Sequence, residues 1–563
     1  EALVEAAPKI IMPDGSSITS EYDARGRNIK QTDQNGYVTS FTYDGVDRLT
    51  SVKDSMGGKW IYTYNEIGEL VSVTDANNEI TKYEYDLMGR VTSMTNPLGS
   101  KVSITYDETG NVLTFKDFKG NTTNFIYDEL DRLIVKEVGD QKTTFTYTTD
   151  GMLSSVTDRN GTTEYTYNTM NGLINTKLPS GVTLRYEYDD AQRLTKVDTA
   201  YGKTNYEYDK LNRLIRVVDH NGSATVYEYD ENGNRSAVRY ANGMIDRYEY
   251  DTLNRLISLK TLDRDENTIA KYLYTLGDAG ERLKVEEQDR EVLYEYDALY
   301  RLTKETIIKE DDITEISYTY DSVGNRLKKV HDGIITEYTY NGLNQLLTEN
   351  DIEYSYDLNG NLISKTGPDE EVIYTYDFEN RLIKAVIKKE GSITTEEYQY
   401  DWAGNRVSKI SDGIEIKYVV DTNGWLSQVI AELDGDGNLK TFYTRGEDLI
   451  SLCKEDEIRY YLYDGNGSVR MLADEAGVIS DTYTYDAFGN LIDTTGSTEN
   501  SFLYTGEQFD FNTGFYYLRA RYMNPNTGTF ITMDPYQGSL FDPVSLHKYL
   551  YANANPIMYS DQL

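Results

Sequence analysis

One cysteine, Cys453, occurs among 563 residues, so no disulfide can form within the chain and its stability must come from hydrogen bonding and packing. Histidine is almost as rare. His220, His331 and His547 are too scattered to make a zinc site. No run approaches the roughly 18 to 20 apolar residues that a membrane-spanning helix needs. The opening EALVEAAPKI has no basic region followed by an apolar one, so no signal peptide is visible, although a fragment of a longer secreted chain would look the same. Positive charge is short as well: 56 Lys and Arg against 94 Asp and Glu give a net charge of −38 and a pI near 4.5. Nucleic acid is thereby excluded as a bound partner, because phosphate contacts need a surplus of Lys and Arg. The acidity fits the solubility of a large assembly, or else an acidic inner wall that holds a basic cargo.

Tyrosine is what the chain has in excess, 52 copies against 14 Phe and 3 Trp, and such patterned aromatic content does not describe disorder. One phrase returns throughout: aromatic-x-Tyr-Asp-x-x-Gly/Asn-Arg-Leu. It reads FTYDGVDRL up to Leu49, KYEYDLMGRV up to Val91, NYEYDKLNRL up to Leu214 and IYTYDFENRL up to Leu382. Its second aromatic falls at Tyr22, Tyr43, Tyr64, Tyr85, Tyr106 and Tyr127 and onward to Tyr250, a period of about 20 or 21 residues. After Tyr250 the spacing loosens but the phrase persists.

Each copy reads as two short strands and two turns. In Tyr206-Glu207-Tyr208 the rings share one face and the glutamate takes the other. Asp209 to Asn212 favours a turn, Arg213 to Val218 alternates again, and Asp219-His220-Asn221-Gly222 closes a hairpin. Strands of roughly seven residues are expected. A lone hairpin is marginal in water, so copies must stack edge to edge, with each Tyr beside its equivalent in the next. About twenty hairpins give around forty strands, and accumulated twist should curl so wide a sheet into a closed wall. The recurrent arginines (Arg48, Arg132, Arg213, Arg255, Arg381) should pair with the Asp of their own or a neighbouring turn.

This phrase resembles the YD repeats of the Rhs family, shared by the C components of insecticidal ABC toxin complexes, bacterial polymorphic toxins and animal teneurins. The C-terminal part resembles it most specifically. Tyr461-Leu462-Tyr463-Asp464-Gly465-Asn466-Gly467-Ser468-Val469-Arg470, Tyr483-Thr484-Tyr485-Asp486-Ala487-Phe488-Gly489-Asn490 and Gly514-Phe515-Tyr516-Tyr517-Leu518-Arg519-Ala520-Arg521-Tyr522 look like segments of the Rhs-associated core. The resemblance implies an all-β fold in which YD-repeat hairpins spiral into a large, hollow, single-layer β-sheet shell, a cocoon closed by a C-terminal core plug. Residues 1–20 would be a lead-in, 21–420 the repeat array, 421–500 late repeats, and 501–563 the core segment. It further implies a bacterial, secreted or cell-surface shell that encloses a toxin following the core, with a secretion-system or surface partner. No such toxin is present up to Leu563.

Relatives' self-cleavage is attributed to an aspartic-protease-like centre at the core's Asp-Pro motifs, in which two close carboxylates share a proton. Asp534, before Pro535, matches the first motif, and Asp561 stands where the second should be. His547-Lys548-Tyr549-Leu550-Tyr551 resembles the family's Asn-x-Tyr-x-Tyr, which makes His547 and Lys548 supporting candidates. Met533 replaces a frequent Arg, and Asp561-Gln562-Leu563 departs from the usual Asp-Pro-x-Gly-Leu. The plainer reading is that both aspartates cap turns. No cofactor or metal is expected: Asp434-Gly435-Asp436-Gly437-Asn438 hints at calcium, but Leu439 stands where an EF-hand needs glycine. At most an intramolecular cleavage is expected, with no activity on a diffusible substrate. The competing reading is a surface adhesion module whose tyrosines stack on sugars.

Overall fold

The computed structural model describes residues 8–560. Its repeat unit explains the phrase residue by residue. Val38–Tyr43 pairs antiparallel with Leu49–Lys53, Phe41 opposite Val52, and a bulge between Thr42 and Tyr43 sets Tyr43 against Leu49. In the intervening turn the Asp44 carboxylate accepts the N–H groups of Val46 (2.9 Å) and Arg48 (3.0 Å) through Oδ1 and the Arg48 Nε–H (2.6 Å) through Oδ2. Asp47, just before Arg48, has φ 68°, a left-handed conformation that explains why Gly, Asn or Asp recurs there. Arg48 then reaches the next copy: its guanidinium lies 5.0 Å over the Tyr64 ring and donates to the Asn65 carbonyl at 3.0 Å. The Tyr64 hydroxyl in turn donates to the Leu49 carbonyl at 2.9 Å. Tyr, Asp, Arg and Leu thus form one bonded unit that spans two hairpins, and Arg90 with Tyr106 repeats it. The arginine does pair with the Asp of its own turn, as expected. The expected ring-on-ring ladder is replaced by Tyr and Arg in alternation, because the guanidinium takes the tyrosine's face.

Forty-seven strands, from Lys9–Ile11 to Leu491–Thr495, form one sheet in which each strand pairs antiparallel with the next. The sheet therefore begins inside the lead-in. Most strands of the first half have five or six residues rather than seven, since the bulge and the Asp turn consume the remainder of the period. In Lys59–Tyr64, Trp60 and Tyr62 are buried while Lys59, Ile61 and Thr63 are exposed. The aromatic face is the inner one, because Tyr62 donates to the carbonyl of Leu540 in the plug. Strand-centre acids point the other way, paired across the sheet: Glu84 with Lys101, Glu187 with Lys196, Glu207 with Arg216. These pairs are solvated and worth little. They do place that part of the acidic excess on the outside rather than on an acidic inner wall.

The wall closes on itself. Asn35 donates to Glu281, Ser55 to the carbonyl of Ala298, Asn77 to Asp321 and Asn160 to the carbonyl of Tyr400. Separations stay between 240 and 246 residues, so one winding takes about 240 residues. Asn35 lies in the turn after Asn28–Thr32 and Glu281 in the turn after Thr268–Leu276, 23 strands later. That number is odd, so Asn-Gly turns on one rim meet Asp turns on the other. At about 4.8 Å per strand a winding measures roughly 110 Å around and about 35 Å across the backbone.

Inside sits the plug. Its four-stranded sheet, Gln508–Asp510, Phe515–Leu518, Arg521–Asn524 and Thr529–Phe530, is followed by mostly irregular chain. Phe515 stacks on Tyr374 and Tyr522 lies against Tyr398 of the second winding. Phe541 reaches Phe41 of the first. At the centre Arg406, 1% exposed in its side chain, pairs with Asp510 at 2.6 Å and lies 4.3 Å over the Tyr517 ring. Lys409 holds the other Asp510 oxygen at 3.0 Å.

Candidate functional site

Asp534 follows the last plug strand. Its N–H donates to the Lys548 carbonyl (2.9 Å), its Oδ1 accepts the Tyr536 N–H (2.8 Å), and Arg521 sits 3.0 Å from its Oδ2. The first contact ties the Asp-Pro segment to His547-Lys548 side by side. Of the four candidates, Asp534 and Lys548 are therefore brought together, His547 turns instead to Asn325 of the wall, and Asp561 lies outside the described residues.

His547 is buried. Its Nδ1 accepts the N–H groups of Tyr549 (3.1 Å) and Leu550 (3.0 Å), which leaves the proton on Nε2 to be donated to Asn325 Oδ1 at 2.9 Å. Burial lowers its pKa to about 4, with Asp321 opposing in part. The ring is thus a neutral pin between the plug and the Asp321 turn of the wall, with both nitrogens engaged. Lys548 donates to the Tyr536 carbonyl. Burial also pushes its pKa down, and Asp534 partly restores it. Tyr549 locks the same segment to the wall: its hydroxyl donates to the Gly360 carbonyl at 2.9 Å and accepts from Gln345 at 2.9 Å. Gly360, at φ 85°, has no room for a side chain, since a Cβ there would stand 2.4 Å from that hydroxyl.

Sequence reasoning missed three buried polar groups. Arg521, over the Phe530 ring at 3.5 Å, orients Asp534. Its only signal was an Arg in the Arg519-Ala520-Arg521 tip. Arg406 occupies the register that the repeat gives to leucine, opposite Tyr400, and therefore points inward. Glu305, on Leu302–Lys309, is 1% exposed and accepts the Ala487 N–H at 3.0 Å. Burial, then the neighbouring Asp486 carboxylate, push its pKa well above the carboxylate range. A buried carboxyl group with a raised pKa is thus present at the wall, away from the Asp-Pro segment.

Among the described residues no cluster of three or more His, Cys, Asp or Glu could hold a metal. The Asp434 carboxylate, in the segment that hinted at calcium, accepts the N–H groups of Asp436 and Asn438 as any repeat turn does. No helix among these residues is long and apolar enough to cross a membrane.

Tc holotoxin pore of Photorhabdus luminescens superposes at TM-score 0.67 with 16% identity, over 97% of this chain and 33% of that one. The TcdB2-TccC3 complex superposes at 0.63 with 16% identity, over 100% of this chain and 38% of that one. At such identity the likeness is one of fold. The tRNA nuclease WapA of Bacillus subtilis (strain 168) is 34% identical over 275 residues, 47% of this chain but 11% of its own length. The chain thus spans a small part of these relatives. RHS Repeat matches fall at residues 22–59, 64–101 and 208–245. The Teneurin YD-shell family matches residues 98–205 and 280–557, more than half of the chain, and the chain belongs to that family.

Proposed function

We propose that this chain is the wall and plug of a toxin-enclosing shell, outside a bacterial cell, whose cargo is a polypeptide that follows the core. The observation that carries this reading is the seam: windings about 240 residues apart bond rim to rim, with Tyr62 turned inward onto the plug. The similarity to WapA and to Tc toxin shells supports it. In this reading the plug also cuts itself free of the cargo. Asp534, held by Arg521, would serve as one carboxylate and Asp561 as the other. One would take a proton from water while the other gives one to the leaving amine. His547 and Lys548 would position the segment rather than transfer protons, since the His547 nitrogens are both engaged. Inward-facing tyrosines give the adhesion reading no exposed ladder to work with.

The test is expression of the chain continued past Leu563 by a folded reporter, beside Asp534→Asn and Asp561→Asn. Self-cleavage predicts a shorter shell band in the parent and full-length product in both variants. Equal sizes in all three refute it. Enclosure is judged separately: a reporter digested by added protease as fast as the free reporter would refute containment.

A further inference from the structure

A cavity of about 1190 Å³ opens in the seam between windings. Elsewhere rim contacts shut that seam, as at Asn35–Glu281 and Asn77–Asp321, and the Asn160–Tyr400 contact stands at the cavity's own edge. It parts where the second winding loses the repeat's turn. After Ile414–Asp421 the chain runs Thr422-Asn423-Gly424-Trp425-Leu426-Ser427, without the arginine that normally crosses to the next copy. The Leu178-Pro179-Ser180 turn faces this loop, and the plug tip at Arg519 borders the space. The volume is at the upper end of small-molecule sites.

Two of the three tryptophans line it. Trp425, 88% exposed, stands at the mouth. Trp402 holds its edge to Phe145 and donates its indole N–H to the Tyr165 oxygen at 3.2 Å, which leaves the Tyr165 O–H to donate. Arg159 is under-engaged: its contact is an ion pair with Asp377 at 3.5 Å, and Asp377 is already gripped by Arg381 at 2.6 Å. A flat ring at the mouth, a hydroxyl donor and a loosely held guanidinium fork thus line one space.

We propose that this window binds a short oligosaccharide carrying a carboxylate. The indole face takes the C–H face of a sugar ring, the guanidinium takes the carboxylate through two parallel N–H bonds, and Tyr165 takes a ring hydroxyl. Long polyanions are disfavoured by the chain's overall net charge of −38. The proposal is independent of what the shell encloses.

The full chain, titrated with trigalacturonate and with neutral maltotriose, reports through tryptophan fluorescence and calorimetry. Saturable binding of trigalacturonate is expected, about tenfold or more tighter than maltotriose. Arg159→Gln should lower the trigalacturonate affinity about tenfold and leave maltotriose unchanged. Trp425→Ala should remove most of the fluorescence response. Both side chains are partly or largely exposed, so thermal melts should match the parent. No saturation by either sugar up to about 10 mM, a Kd weaker than any useful site, overturns the proposal. So does binding indifferent to Arg159→Gln, or tighter binding of triglutamate than of trigalacturonate.

Discussion

Acidification should loosen the plug at His547, by an amount the geometry sets. Both backbone N–H groups of Tyr549 and Leu550 point at Nδ1, so protonation there would put a proton against two donors and break both bonds. A base whose pKa is lowered by folding favours the fold while it is neutral, above its unfolded value of about 6.5. That advantage is lost as pH falls from there toward about 4. At about 1.4 kcal/mol per pH unit the interval amounts to about 3 kcal/mol. The assay is hydrogen exchange of residues 528–551 between pH 7.5 and 4.5, corrected for intrinsic rates. Protection should fall on the order of a hundredfold in the parent. His547→Gln, which cannot titrate, should start less protected and show a much flatter profile. Identical slopes in parent and variant would refute the reasoning, because other groups would then carry the pH dependence.

Three further outcomes follow from the packing. Arg406→Met should cost about 3 kcal/mol by leaving the buried Asp510 to Lys409, whereas Arg406→Met with Asp510→Leu should recover part of it, Lys409 keeping Glu396; chemical denaturation of the parent, both single variants and the double variant reads the coupling. Tyr43→Phe, Tyr64→Phe and Tyr106→Phe each remove one hydroxyl-to-carbonyl bond but keep the ring under its arginine, and each should cost about 1 kcal/mol in local exchange, near-additively. Glu305 titrates the other way from His547: an acid with a raised folded pKa contributes its stability below the ordinary value of about 4.3 and loses it as pH rises. Glu305→Gln should therefore melt higher than the parent at alkaline pH, with the gap closing on acidification.

The array was legible because its determinants are local. Tyr, Asp, the left-handed residue and Arg all sit within eight residues or one repeat of their partners, so the phrase Tyr43-Asp44 to Arg48 carries its own turn. The all-β wall followed from that period plus strand twist. What the phrase hides is whatever depends on angles summed over many strands. The 23-strand winding sets which turns meet, and nothing in Asn77 announces Asp321. The same holds for the site: Asp534 and His547 were readable as motif positions, but Arg521, Asn325 and Gly360 acquire their roles only once the plug is threaded inside the wall. Arg406 stands five residues after Asp401, in the register that Leu49 holds after Asp44, so its inward direction follows from the repeat but its Asp510 partner does not.

The 23-strand winding also restricts how the gene can change length. In an open solenoid, a duplicated repeat merely makes a longer rod. Here an extra hairpin between Tyr62 and Tyr400 would advance everything downstream by about one-eleventh of a turn, given roughly eleven hairpins per circuit. Rim teeth are alike and would mesh again one notch over. The plug's partners are not alike, because Tyr62 and Tyr400 must both face it at once. Duplication is therefore cheap upstream of Tyr62 and disruptive within the circuit that the plug spans.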